Sequence, residues 1–414
     1  MKRVVITGMG TITSLGHNVR DFWQNIVAGK SGAAPITKFN TAHFKTKFAC
    51  EVKDFQPNTY LDRNEIKRSD LFTQYALYAS TEAINDSGID LKSISPFDIG
   101  VIWGSGNGGM GTFEEEVKAY SSNEYRPHFS PFFVPKLLSN MASGLISMKF
   151  GLMGINHTTV TACASANSAL MEAFNYIRLG KAKLFVSGGS EAPVTEAAIG
   201  GFNAMRAMSV NNERPEEACR PFDQARDGFV MGEGSGAMIL EEYEHAKARG
   251  AKIYAEIVGA AMTADAYHIS SSHPEGLGAA HAMNLALEEG GINAADVDYL
   301  NTHATSTPVG DLSEINAARK VFGDNPEKLK ISATKSMTGH LLGAAGAIEG
   351  IICVKALQDG IVPPTINTSA LDPAIPKTFD VVTKESQQVK LNYAMSNTFG
   401  FGGHNAIVLF KRFD

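Results

Sequence analysis

Cys163 lies in the stretch Thr161-Ala162-Cys163-Ala164-Ser165-Ala166-Asn167-Ser168, between a β-branched run and a long amphipathic segment. A helix that begins at or just after Cys163 points its unpaired N–H groups and positive dipole end at the sulfur, which favours thiolate over thiol. A lone buried cysteine is otherwise a small hydrophobe, so the rest of the chain must supply the reason to read it as a nucleophile. His303 and the pair Lys335 and His340 share its placement, each just past a short apolar run of strand type. In a layered α/β sheet the carboxyl ends of strands lie along one edge, so the four side chains are placed to converge. A thiolate with two imidazoles suits acyl transfer. The sulfur takes the acyl group, and neutral imidazole N–H groups, with oriented backbone amides, stabilise developing oxyanions. A lysine near the two imidazoles favours their neutral forms.

The elements that position these residues alternate between strand and helix patterns. Residues 4–10 form a β-branched strand ending in glycines, followed by a helix over 19–28. Residues 33–59 are irregular, Lys67, Arg68 and Asp70 open a helix through Ala83, and 98–103 form a buried strand. A helix over 135–150 precedes a strand at 158–161, the cysteine helix runs to about Gly180, and a strand follows over 182–186. Strand, cysteine, helix and strand thus make a βαβ unit. From Lys252 the pattern starts again, with strands at 253–259, 298–301 and 331–334, helices at 278–289 and 342–359, and a last strand at 406–410. Residues 334–360 echo 161–180, so the chain reads as two pseudo-repeated halves, 1–250 with Cys163 and 251–414 with His303, Lys335 and His340.

One motif points elsewhere. Gly104-Ser105-Gly106-Asn107-Gly108-Gly109 spells the glycine pattern of a dinucleotide site, but the carboxylates of Glu114, Glu115 and Glu116 follow it and would repel a pyrophosphate. A glycine turn where a strand approaches other backbone is the preferred reading.

Composition sets the wider frame. The 414 residues are 44% hydrophobic and 19% charged, enough for well-buried cores, and a net charge of −6 gives no footprint for nucleic acid or an acidic membrane surface. Cys50, Cys163, Cys219 and Cys353 lack the spacing of a zinc site or a disulfide framework, which suggests a reducing compartment. Met1-Lys2-Arg3 leads straight into a strand without signal-peptide features, and no stretch of apolar residues offers a membrane span. The expectation is a cytoplasmic protein.

Four ordered stretches carry a family resemblance. Thr161-Ala162-Cys163, the run from His303 to Asp311, the run from Lys335 to Gly346 and Asn397-Thr398-Phe399-Gly400-Phe401-Gly402-Gly403 together resemble the motif set of the beta-ketoacyl-acyl carrier protein synthases of type II, over essentially the whole chain. The resemblance implies an α/β thiolase-like fold, two related halves in five layers (α-β-α-β-α), and a homodimer. It implies that Cys163 takes the acyl chain from acyl-ACP as a thioester, with an oxyanion hole from the backbone N–H groups of Cys163 and Phe401. His303 and His340 would then hold malonyl-ACP through decarboxylation, and the resulting carbanion would attack the acyl group. Lys335 would pair with Glu349, and Phe401 would act as a gate with Gly400, Gly402 and Gly403 beside it.

Further positions follow from the same resemblance. Thr305 and Thr307 match residues touching the phosphopantetheine arm, and Asn107, Phe133 and Phe202 match substrate-binding positions. Lys67, Arg68 and Arg206 match a basic patch facing the carrier protein, while Asn301, Glu349, Ser396 and Asn397 match a structural monovalent-cation site of some members. No redox cofactor or catalytic metal is implied. The chain departs from the family at Asn107, where an apolar residue is usual, and at Ala304, Ser168, Met171 and His404. Those departures leave a condensing enzyme of a polyketide or polyene pathway as the alternative. A chain-length-factor subunit would lack the cysteine, and a degradative thiolase would carry a second cysteine near Phe401.

Overall fold

The computed structural model describes residues 1–413. Eleven strands make its main sheet: β1 Val4–Thr13, β2 Ile99–Gly104, β3 Asn156–Thr159, β4 Leu184–Glu191, β5 Gly234–Glu242, β6 Ala255–Ala264, β7 Tyr299–Asn301, β8 Lys330–Ser332, β9 Asp380–Val381, β10 Tyr393–Gly400 and β11 His404–Arg412. Their order is β9-β8-β7-β10-β11-β6-β1-β5-β4-β2-β3. From β1 outward through β5, β4, β2 and β3 the junctions run antiparallel, antiparallel, parallel, parallel. From β6 through β11, β10, β7 and β8 the same sequence of junctions recurs. The two arrays meet where Val4, Val5 and Ile6 of β1 pair antiparallel with Ile257, Glu256 and Ala255 of β6.

Three buried clusters divide the molecule into layers. The helices α2 (Ser165–Arg178) and α5 (Ala345–Asp359) pack on each other at the centre. Leu170, Phe174 and Ile177 of the first and Ile348, Ile351 and Ile352 of the second share a core with Phe185, Met238, Val408 and Phe410 from both arrays. Helix α1 (Leu71–Ser87) covers the outer face of the first array through Phe72, Tyr75 and Ala79, against Val101, Val186 and Ile239. On the second array α3 (Leu277–Gly290) and α4 (Pro308–Phe322) do the same, with Met283 and Ile315 against Leu300, Ile407 and Leu409. This is the thiolase-like five-layer α-β-α-β-α arrangement. Successive strand residues point to opposite faces, so Phe185 enters the central core and Val186 the outer one. With both faces covered, the strands read as continuous apolar runs, and each fully buried Phe or Ile contributes about 1.5–3 kcal/mol. Among the described residues no helix is long and apolar enough to cross a membrane.

Local caps set boundaries that periodicity alone does not resolve. The helix read from Lys67 to Ala83 is two helices, Arg63–Arg68 and α1, because Asp62 caps the first and Asp70 accepts from the Phe72 N–H to start the second. The segment read as a helix over 135–150 likewise divides into Phe133–Leu137 and Met141–Phe150. The strand leading to Cys163 ends at Thr159. Single 3₁₀ turns, Ala162–Ala164 and Leu342–Ala344, precede α2 and α5.

Candidate active site

The turn carrying Cys163 is strained and crowded. Ala162 holds a φ of +50°, and Leu342, its counterpart before α5, holds +48°. Non-glycine residues adopt that region only where the surroundings impose it. Gly400 supplies part of the constraint: a Cβ there would stand 2.4 Å from the Thr161 carbonyl oxygen and 3.2 Å from the Cys163 nitrogen. The backbone N–H groups of Phe401 and of Cys163 itself favour the ionised form of the sulfur. Cys163 is nonetheless buried, and burial pushes its thiol up to about 12 against the pull of the Lys335 charge and those two N–H groups. The resting side chain is therefore a thiol. Desolvation thus works against the thiolate that the start of the helix favours.

His303 and His340 share a cavity of about 250 Å³ with the sulfur, and their rings stand nearly perpendicular with centroids 5.2 Å apart. His303 follows the end of β7, whereas His340 comes after β8 only beyond a short helix, Lys335–Thr338. The His303 turn is fixed by a residue the sequence did not single out. Glu314 on α4 accepts the His303 N–H at 2.9 Å, the Ala304 N–H at 2.8 Å and the Asn397 side-chain amide at 2.9 Å. His340 is fixed through its backbone, donating to the Val230 carbonyl at 2.7 Å while its own carbonyl accepts from Gly232 at 2.9 Å. Burial depresses both imidazoles, and the nearby Lys335 charge depresses them further. Lys335 is 1% exposed and is ion-paired with the equally buried Glu349. Burial pushes Glu349 up to about 7 while Lys335 pulls it down. The site thus holds a buried thiol, two neutral imidazoles and a cation behind them.

Comparison with known proteins follows the same lines. The Beta-ketoacyl synthase, N-terminal domain, matches residues 1–246, and the Beta-ketoacyl synthase, C-terminal domain, matches residues 254–369. The chain belongs to the beta-ketoacyl synthase family. A relative from Staphylococcus aureus (strain COL), named 3-oxoacyl-(acyl-carrier-protein) synthase 2, is 48% identical over 413 residues, covering 100% of this chain and 99% of its own. A beta-ketoacyl synthase from Burkholderia phymatum superposes with a TM-score of 0.93 at 34% identity, each chain covered in full. A ketosynthase solved in complex with its type II PKS acyl-carrier protein superposes at 0.91 with 31% identity, again over both full chains.

Within this beta-ketoacyl synthase the remaining expected residues separate into two groups. Phe202, Arg206, Thr305, Thr307, Gly400 and Phe401 line the cavity with Cys163. The Thr305 and Thr307 hydroxyls lie 3.1 Å apart, and the Phe401 ring stands 6.3 Å from that of Phe202. Gly402 and Gly403, with φ of +88° and +80°, turn the chain from β10 into β11. Asn107 and Phe133 lie outside the lining. Asn107 turns its backbone N–H onto the Glu191 carboxylate, and Phe133 stacks on Phe129 at 5.4 Å and faces Phe113 at 6.3 Å. Lys67 and Arg68 stand exposed on the short helix Arg63–Arg68, and Arg206, also exposed, lines the cavity. Met110–Ser122 does form a helix after the glycine loop, but the loop's Gly106 and Asn107 N–H groups are bound by Glu191 and not free for a phosphate.

Beneath the site, Asn301 Oδ1, Ser396 Oγ and Glu349 Oε2 are buried oxygens without a hydrogen-bond partner. Ser396 pairs directly with Asn301 across β10 and β7, so the two side chains share a face. That face is the central one, where Asn301 donates to the Tyr299 hydroxyl at 3.0 Å. Asn397, one residue on, points to the opposite face, where its amide donates to Glu314 and its Oδ1 is likewise buried without a partner. Its side chain therefore stands apart from the other three.

Proposed function

We propose that this chain catalyses the decarboxylating condensation of malonyl-ACP with an acyl group carried on Cys163, giving beta-ketoacyl-ACP in type II fatty acid elongation. The observation that carries the reading is the shared cavity, in which the Cys163 sulfur and the His303 and His340 imidazoles line one space. In the first half-reaction the Cys163 sulfur attacks the thioester carbonyl of acyl-ACP. A sulfur–carbon bond forms, the bond to the phosphopantetheine sulfur breaks, and the thiol proton leaves with that carrier sulfur. The N–H groups of Cys163 and Phe401 are the oxyanion hole for the tetrahedral intermediate.

In the second, His303 and His340 donate to the thioester carbonyl of malonyl-ACP. Loss of CO2 breaks the bond to the carboxylate and leaves an enolate, which these donors stabilise. The carbanion attacks the acyl-Cys163 carbonyl, a carbon–carbon bond forms, and the Cys163 sulfur departs as a thiolate that takes up a proton from water. Lys335 acts through the imidazoles by disfavouring their protonated forms.

Thr305 and Thr307 serve the phosphopantetheine arm, Phe202 the acyl chain, Phe401 the gate, and Arg206 with Lys67 and Arg68 the acidic carrier protein. Asn301, Ser396 and Glu349 would hold a monovalent cation, which supplies charge to three otherwise unpartnered oxygens and takes no part in the chemistry. The halves 1–250 and 251–414 each contribute one side of the site. A second copy of this chain docks along β3, and the compartment is the cytoplasm. The 48% identity with a synthase 2, against 31% with the ketosynthase of the polyketide complex, supports elongation over a specialised pathway.

The test is incubation with malonyl-ACP and acyl-ACPs of graded length, with the masses of enzyme and products measured. Expected are an acyl-enzyme on Cys163 and a product longer by two carbons, both lost in Cys163→Ala. Elongation by that variant would remove the reading.

A further inference from the structure

The glycine loop left over from the sequence has a use. Glu191 ends β4 and is fully buried. Its Oε1 accepts the backbone N–H groups of Gly106 and of Asn107, the latter at 3.2 Å, and the Gly343 N–H lies close enough to favour the ionised carboxyl. These donors come from the loop after β2 and from the 3₁₀ turn before α5, two segments with no sequence relation. A Cβ on Gly343 would stand 2.5 Å from Glu191 Oε1, and one on Gly106 would stand 3.1 Å from Oε1 and 3.4 Å from the Ala162 carbonyl oxygen. Both glycines are thus fitted to the carboxyl. The turn holding Gly343 packs directly against the turn holding Cys163. Glu191 Oε2 is buried and has no partner.

We infer that Glu191 is a positioning residue for the acyl-accepting centre: its carboxyl ties the glycine loop to the Leu342–Ala344 turn and thereby holds the Cys163 turn in register. A negative charge on Glu191 acts against ionisation of the Cys163 thiol. Burial pushes Glu191 up to about 8 against the pull of the Gly106, Asn107 and Gly343 N–H groups, with Asp70 adding to the rise. The groups that face the sulfur are Lys335, Glu191, and the N–H groups of Phe401 and Cys163, with His303 and His340 across the cavity. The role rests on Cys163 being the acyl acceptor.

Two variants of the full chain test it, Glu191→Gln and Glu191→Ala, with three measurements: acylation of Cys163 by acyl-ACP followed by mass, alkylation of Cys163 by iodoacetamide from pH 7 to 9.5, and thermal melting. Glu191→Gln keeps an uncharged carbonyl acceptor, so it acylates within about threefold of wild type, whereas Glu191→Ala slows by about 10- to 100-fold, the cost of about an ångström of misplacement. At pH 7 the Gln variant and wild type alkylate alike. Above pH 8 Glu191 ionises and holds wild type back, so the Gln variant alkylates about two- to tenfold faster. Acylation by Glu191→Gln as slow as by Glu191→Ala, or coincident alkylation profiles of wild type and the Gln variant, overturns the inference. If Glu191→Ala does not fold, the Gln comparison decides alone. Absence of acyl-enzyme in wild type would instead count against the acyl-acceptor reading, and the alkylation profiles would still judge Glu191.

Discussion

Two imidazoles that must donate hydrogen bonds are useful only while they hold one proton each, and Lys335 acts on that condition directly. His303 and His340 are depressed first by burial and then by the Lys335 charge. An imidazole whose pKa falls below 6.5 stays neutral as the medium is acidified through that value. The decarboxylation of malonyl-ACP should therefore show no loss between pH 8 and about 6.5, the ordinary histidine value. Lys335→Met removes a positive neighbour and leaves Glu349 without its partner, and both changes raise the imidazole pKa values. The acid limb of CO2 release should then move up by about one pH unit or more. A limb in the variant that coincides with wild type would mean that Lys335 does not act through the rings. The convergence of Cys163, His303, His340 and Lys335 was legible in the sequence, because the segments that carry them follow β3, β7 and β8. The protonation of Cys163 was not, since it depends on how completely the other layers cover the sulfur.

Elements place these side chains through a few buried carboxyls that sit far from them in sequence. Glu314 lies eleven positions after His303, one turn beyond Asp311 on α4, which itself accepts the Ser306 N–H at 3.1 Å and the Phe222 N–H at 2.9 Å. Both carboxyls face inward from the helix that follows the histidine turn and collect its backbone donors. Truncation as Glu314→Ala would leave the His303 and Ala304 N–H groups unpaired at a buried position, a cost of about 1–3 kcal/mol. A lower melting temperature is expected, with CO2 release from malonyl-ACP impaired more than acylation of Cys163, because Glu314 holds the histidine turn and not the cysteine turn. Equal impairment of the two half-reactions would assign Glu314 to general stability instead. Glu314 was hidden in the sequence because an acid on an amphipathic helix ordinarily faces solvent, and only the packing of α4 under the turn shows otherwise. Element types were legible from periodicity, whereas the breaks at Ser69 and over 138–140 depend on caps and packing that periodicity does not register.

At the scale of the molecule, the repeated strand order leaves the two arrays with unlike ends. The second array is continued beyond β8 by β9. The first ends in β3, which pairs with β2 alone, so its outer backbone donors and acceptors have no strand beside them. Such an edge recruits another strand unless it is blocked by charge, proline or a bulge. Asn156-His157-Thr158-Thr159 offers none of these. Exposed apolar side chains surround it, with Val160 at 59%, Met148 at 65% and Met153 at 61%. Contiguous apolar exposure beside an open edge marks an association surface, and a copy of the same chain presents the same edge for self-complementary pairing. Wild type should therefore sediment as a dimer at micromolar concentration. A Val160→Asp and Met148→Lys double variant puts charge on that surface without touching the central core, so it should sediment as a monomer with an unchanged circular dichroism spectrum. A monomeric wild type, or a variant that still sediments as a dimer, would move the contact to another face or remove it.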